Sequence, residues 1–286
     1  MLNNKIETFI GCDSPYKEAE FVLFGAPFDS TASFRPGSRF AGRSMRAESY
    51  GIETYSPYQD KDLEDISVFD AGDLELCIGD AGLALKQIED FTDKLLSDQK
   101  RPVMIGGEHL VTLGAVRALR RQLPDLHIIH FDAHADLRGD YLGAALSHAT
   151  VMRRVWELLG DGRVYQFGVR SGDRSEFAWG GGHVHTQKFN FNGLKETVKR
   201  LDGKSVYFTL DLDVLDPSVF PGTGTPEAGG VSFSELLDAV TLLAPLNIAG
   251  FDMVELAPHY DMSGVSTAVS CKLLRELLLL FAQGRA

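Results

Sequence analysis

The sequence predicts one α/β domain over residues 1–286: a three-layer α/β/α sandwich with a central, mainly parallel sheet. Three observations predict it. Short apolar runs alternate with stretches of helical periodicity along the whole chain, the pattern of right-handed βαβ units. The run Ser205 to Leu210 is apolar apart from its hydroxyls, as in strands buried on both faces. The conspicuous polar groups fall at the carboxyl ends of predicted strands, where open parallel sheets bind ligands. No Ser/Pro-rich linker, charge block or repeat divides the chain. A closed (β/α)₈ barrel is the alternative, because the count of strands does not separate the two.

Taken in order, Phe21 to Pro27 is the first strand, ended by Gly25 and Pro27. A loop from Arg35 to Gly42 follows, and a helix starting at Ser38 or Gly42 runs toward Tyr50. Ile66 to Gly72 is a second strand. The helix after it, Ile78 to Ser97, carries Leu83, Leu85, Ile88, Phe91, Leu95 and Leu96 at helical spacing. Pro102 to Ile105 closes on Gly106-Gly-Glu-His109. There a helix begins with Leu110, Leu113, Val116 and Leu119 on one face. Leu126 to Phe131 is a buried strand, followed by a loop and a helix from Ser147 to Leu159. Val164 to Val169 is the next strand. Beyond it Gly180-Gly-Gly182 breaks the pattern, and His183-Val-His185 reads as a short strand. A helix from Phe191 to Leu201 leads into the Ser205 strand. Ser232 or Ser234 caps a helix through Leu243. Ile248 to Glu255 is the last strand, and Thr267 to Gln283 the last helix.

Composition narrows the function classes. A formal charge of −12 argues against a nucleic-acid surface and suits a cationic ligand. Cys12, Cys77 and Cys271 form neither a close pair nor an even set, which argues against a disulfide framework or thiolate metal site and fits a reducing cytosol. The segment Met1 to Glu7 lacks the apolar core of a signal peptide, and the run Leu277 to Ala282 is too short to span a membrane. The expectation is a cytoplasmic protein with no membrane partner.

Chemistry concentrates in Asp132-Ala-His134-Ala-Asp136, directly after a strand. Side chains two apart share a face in extended backbone, so these three converge if extension persists past the strand end. Two carboxylates and an imidazole beside an apolar core call for a counter-cation, most simply a divalent metal; the competing reading is a solvated loop. A second comb, Asp211 and Asp213, follows the Ser205 strand, although Asp is also common in turns. His109 alone reads equally as a core histidine, but after Gly106-Gly-Glu the ligand reading is stronger. The resulting two imidazoles and four carboxylates suit a hard or borderline ion. They exceed what one catalytic metal needs, and two ions sharing bridging carboxylates account for the surplus. Such a pair makes hydroxide available near neutral pH, so the reading is a metal-assisted hydrolase. His148 reads equally as a capping neighbour or a proton carrier. Asp252, His127 and His130 read as structural, and His183 and His185 give weak signals. Gly222-Thr-Gly224 is not a dinucleotide fingerprint, since no third glycine opens a helix at the right offset.

Several motifs together resemble the ureohydrolases, the arginase and agmatinase family. They are Gly106-Gly-Glu-His109, Phe131-Asp-Ala-His-Ala-Asp136, Ser147-His148, Asp211-Leu-Asp-Val-Leu-Asp-Pro217, Pro221-Gly-Thr-Gly-Thr-Pro-Glu227 and Asp252-Met-Val-Glu-Leu-Ala-Pro258. The likeness runs from Gly25-Ala-Pro-Phe-Asp29 to the last helix. It implies two Mn²⁺ ions and hydrolysis of a guanidino compound to urea and an amine. His109, Asp132, Asp136 and Asp211 would bind one ion, and Asp132, His134, Asp211 and Asp213 the other. Asp136 would orient the attacking hydroxide, Glu255 would pair with the substrate guanidinium, and His148 would shuttle a proton toward the leaving amine. The loop Asp140 to His148, with Tyr-x-Gly before Ser-His, resembles the agmatinase branch, which implies agmatine cleaved to putrescine and urea. Ala149, Phe220 and Ala257 depart from that branch's usual Gly, small residue and Ser, which bears on the pocket rather than the metal ligands. Aminopropylagmatine, guanidinobutyrate and arginine are the alternative substrates. A non-catalytic, metal-binding regulatory paralogue is the reading from another class. The resemblance also implies a homo-oligomer, a trimer or hexamer.

Overall fold

The computed structural model describes residues 7–282. Most of the Met1 to Glu7 segment and the predicted helix end at Gln283 lie outside the described residues. The first third of the chain forms β1 (Phe21–Ala26), α1 (Ala41–Glu48), β2 (Tyr55–Ser56), β3 (Lys61–Asp62), β4 (Val68–Asp73) and α2 (Ala81–Ser97). The middle forms β5 (Arg101–Gly106), α3 (Thr112–Gln122), β6 (Leu126–Phe131), α4 (Val151–Leu159), β7 (Val164–Val169), α5 (Arg174–Gly180) and β8 (His185–Lys188). Then come α6 (Leu194–Arg200), β9 (Ser205–Asp211), α7 (Phe233–Thr241), β10 (Asn247–Val254) and α8 (Val265–Phe281).

Eight strands form one sheet in the order β4-β1-β5-β10-β9-β6-β7-β8, every pairing parallel. The sheet is open, with β4 and β8 at its edges, which excludes the closed barrel. Successive strand residues point to opposite faces, and each face has its own core. Ile129, Phe131, Phe208 and Leu210 pack with α1, α6, α7 and α8. Leu126, Ile128, Tyr207 and Val254 pack with α2, α3 and α4. Burying such a side chain fully stabilises by about 1.5–3 kcal/mol, set against the entropy of ordering it.

The departures from the sequence reading have local causes. The Asp80 side chain accepts the Leu83 N–H at 3.0 Å and starts α2 there, leaving Ile78 exposed before the helix. Helix α5 is hidden in the sequence because it is short and runs into the glycines that begin with its last residue, Gly180; a capping box between Asp173 and Glu176 starts it. The short strand is β8, shifted past His183. Helix α6 begins only after Gly193, in the left-handed region, so Phe191 packs on the core from a loop. The hairpin of β2 and β3, two residues a side, carried no readable periodicity. Ser232 caps α7, as one of the two candidates.

The order β5-β10-β9-β6 places four carboxyl ends side by side at the centre of the sheet. His109, Glu255, Asp211 and Asp132 sit at or just beyond those ends.

Candidate active site

The turn after β5 is pinned on both sides. Gly107 donates to the Ala26 carbonyl at 2.8 Å, Glu108 to the Phe28 carbonyl at 2.8 Å, and Glu255 to the Gly107 carbonyl at 3.0 Å. A Cβ on Gly107 would collide with the Phe28 carbonyl, so only glycine allows this approach. The turn delivers His109 to the start of a short 3₁₀ segment ahead of α3.

After β6 the chain does not stay extended. Asp136 has φ +54, and its carbonyl accepts the N–H groups of Met152 and Arg153 at the start of α4. The comb converges all the same, through a turn instead of a continued strand. Asp211 closes β9 and its Oδ1 accepts the Asp213 N–H at 2.9 Å, which bends Asp213 back toward the same space.

Two groups of ligand-type atoms result. His109 Nδ1 lies 3.0 Å from Asp132 Oδ2, 3.4 Å from Asp136 Oδ2 and 3.2 Å from Asp211 Oδ2. His134 Nδ1 lies 3.5 Å from Asp132 Oδ1 and 3.0 Å from Asp213 Oδ2. Asp132 therefore turns one oxygen toward each imidazole. His130, read from the sequence as a core residue, joins the first group through its Nε2, 2.8 Å from Asp132 Oδ2.

The donor set fits a divalent ion. Tyr207, Thr112 and Thr209 hydroxyls donate to the buried Asp252 carboxylate at 2.7, 2.8 and 2.6 Å. With its proton so used, the Thr209 hydroxyl accepts His109 Nε2–H at 2.9 Å. His109 Nδ1 then faces three carboxyl oxygens, and it is buried without a hydrogen-bond partner. Positive charge belongs there. Without a bound cation, burial and then Asp132 push Asp136 up to about 7. Burial, Asp213 and Asp132 raise Asp211 well above the carboxylate range. Burial opposes protonation of His109, but Asp132, Asp136 and Asp211 outweigh it and raise the imidazole. Carboxylates that crowd together until they resist ionising are ones a divalent cation would stabilise in the charged form.

A cavity of about 240 Å³ opens over these groups, lined among others by His109, His134, Asp136, Asp213, His148, Tyr141 and Glu255. Glu255, at φ +66, holds its carboxylate against the His109 backbone N–H at 2.8 Å. Burial and then Glu108 raise its pKa well above the ordinary value. The His148 ring lies 5.6 Å from that of Tyr141, and burial and then His134 hold its imidazole down at about 4. Two neighbours escaped the sequence reading. Thr31 donates its hydroxyl to Glu108 Oε1 at 2.6 Å and accepts the His148 N–H at 3.1 Å. Arg138, over the Tyr141 ring at 4.8 Å, pairs with Glu176 at 3.3 Å on the cavity wall.

The Arginase family model matches residues 19–280. The chain belongs to the arginase family. Within it, the agmatinase of Halalkalibacterium halodurans is 47% identical over 277 residues, 96% of each chain. The agmatinase of Bacillus subtilis is 46% identical over 281 residues, 97% of each. A solved structure of a Clostridium difficile protein put forward as an agmatinase superposes with a TM-score of 0.92 at 48% identity, covering 94% of this chain and 99% of its own. This member of the arginase family is an agmatinase-like ureohydrolase. No helix among the described residues is long and apolar enough to cross a membrane.

Proposed function

We propose that the protein hydrolyses the guanidino group of a small cationic substrate to urea and an amine, with agmatine, cleaved to putrescine and urea, preferred. The observation that carries the reading is Asp132, one oxygen facing His109 and the other His134, under a cavity that Glu255 and His148 also line. His109, Asp132, Asp136 and Asp211 would hold one Mn²⁺, and Asp132, His134, Asp211 and Asp213 a second. Such a pair would supply Lewis acidity and would make a nucleophilic hydroxide available near neutral pH.

The remaining chemistry belongs to the side chains. Glu255 pairs with the planar guanidinium, whose fork suits a bidentate carboxylate, and the substrate's charge offsets the burial that otherwise favours the neutral acid. Asp136 accepts a hydrogen bond from the attacking water and aims it at the guanidinium carbon. His148 is neutral at pH 7, so it can take a proton from the tetrahedral adduct and pass it to the departing amine. Tyr141 offers a ring face to the methylene tail. The agmatinase relatives support agmatine over arginine, and a place in making the polyamine putrescine follows from that product. Residues 1–286 would form one domain, supported by an eight-stranded sheet whose strands lie between β1 and β10 in the chain. A cytoplasmic homo-oligomer, trimer or hexamer, is supported by the family resemblance.

The test is urea release by Mn²⁺-loaded protein given agmatine, arginine, guanidinobutyrate and aminopropylagmatine side by side. Agmatine as the clear favourite is expected. Preference for another guanidine would overturn the substrate and keep the chemistry, and no urea from any of them would overturn the hydrolase reading.

A further inference from the structure

Five adjacent strands place polar side chains at one register: Thr186 on β8, Gln166 on β7, His130 on β6, Thr209 on β9 and Asp252 on β10. His130 and Thr209 each stand two residues before an acid of the site, Asp132 and Asp211, and so share its face of the sheet. Gln166, His130, Thr209 and Asp252 are fully buried. A polar row between two apolar layers is costly unless each member is paired, and here each is.

On one side of the row the pairings leave a single proton arrangement. Gln166 Nε2 lies 2.7 Å from the Ala135 carbonyl and 3.0 Å from His130 Nδ1, while Thr186 donates to Gln166 Oε1 at 2.9 Å. A backbone carbonyl and a hydroxyl donor on opposite ends fix which end of the amide is nitrogen. The nitrogen donates to both of its neighbours, so His130 Nδ1 is an acceptor and carries no proton. The proton sits on Nε2, which donates to Asp132 Oδ2 at 2.8 Å.

We propose that Gln166 is a positioning residue for the metal centre, acting through His130. Its amide holds His130 as the Nε2–H tautomer, which keeps Asp132 oriented between His109 and His134. The same amide anchors the Ala135 carbonyl, between His134 and Asp136. His130 is thereby an orienting donor and not a ligand. The role rests on the reading of Asp132 as a metal ligand. Gln166→Glu, nearly isosteric, cannot donate to Ala135; it accepts from His130 instead, moves the proton to Nδ1 and sets the Nε2 lone pair against Asp132.

The experiment is calorimetric titration of Mn²⁺ into metal-free protein, together with ¹⁵N spectra of histidine-labelled protein that report the His130 tautomer. The Nε2–H form is expected in the wild type. Gln166→Glu and His130→Phe should weaken Mn²⁺ binding by about 10–100-fold. His130→Gln, whose amide can reach the place of Nε2, should bind within a few fold of wild type. An Nδ1–H tautomer in the wild type overturns the proposal, as does wild-type affinity in His130→Phe or no rescue by His130→Gln. The wild-type spectrum decides if a variant fails to fold. Wild-type protein that binds no Mn²⁺ overturns the metal-centre reading itself, whereas binding indifferent to these variants overturns only the relay.

Discussion

Glu255 Oε1 accepts the backbone N–H of His109 at 2.8 Å, tying the acid at the end of β10 to the imidazole at the end of β5. One hydrogen bond thus sets the spacing between the carboxylate that would meet the guanidinium and a residue that would hold metal. Glu255→Gln keeps an oxygen for that bond and removes only the charge. We expect kcat/KM to fall by roughly 10²–10³-fold, as for a buried charge left unpaired, with metal content unchanged. Steady-state urea kinetics beside metal analysis checks both halves.

Thr31 links Glu108 to the His148 backbone. Burial holds Glu108 up at about 8 despite the opposing bonds from Thr31, so losing that hydroxyl leaves a buried carboxyl short of a partner and His148 unanchored. Thr31→Val should lower kcat by roughly tenfold, the worth of one good hydrogen bond, and Thr31→Ser should restore it. Equal kcat in all three proteins would show that Thr31 does not position His148 for the reaction.

Much of this architecture is legible in the sequence because hydrophobic period is a direct physical signal. The apolar runs Leu126–Phe131 and Ser205–Leu210 announce their strands, and acids placed directly after them announce the sheet edge. What stays hidden depends on contacts between distant residues or on backbone turns without a period. Thr31 and Glu108 meet across 77 residues with no spacing to mark them. The positive φ of Asp136 and Glu255, worth about 1–3 kcal/mol of strain each, belongs to the surrounding packing and not to those residues. His130 carried a readable hint, since it shares a face with Asp132, but an imidazole in an apolar strand reads as core until its partners are known.

Metal binding should depend on pH with a definite sign. Asp136 at about 7 and the raised His109 and His134 hold protons in the metal-free protein, and an ion must displace them. Affinity therefore falls as pH drops through neutrality, by about tenfold per pH unit for each proton released. Mn²⁺ titrations in buffers of different ionisation enthalpy, between about pH 6 and about pH 8, count those protons. Affinity independent of pH would contradict the assignment.

Away from the site, Asp261 organises the entry to α8. Its carboxylate accepts the Ser266 N–H and hydroxyl, both at 2.7 Å, and the Ser263 hydroxyl. Burial would raise its pKa, but these serine bonds outweigh it and bring it to about 2. The folded value lies below the unfolded one of about 4, so this stabilisation is present above about pH 4 and is lost as pH falls through about 2. Asp261→Ala should cost about 0.5–2 kcal/mol at neutral pH, by analogy with a lost cap, and the gap should narrow in acid. Thermal melts at the two pH values read it.

A two-metal centre joined through Asp132 is proposed to release urea. Its most direct test is stepwise addition of Mn²⁺ to metal-free protein, with bound metal and urea release from agmatine followed together. Activity is expected to saturate at two ions per chain and to be lost when Asp132→Asn removes the shared carboxylate. Full activity at one ion per chain, or with no metal, would contradict it.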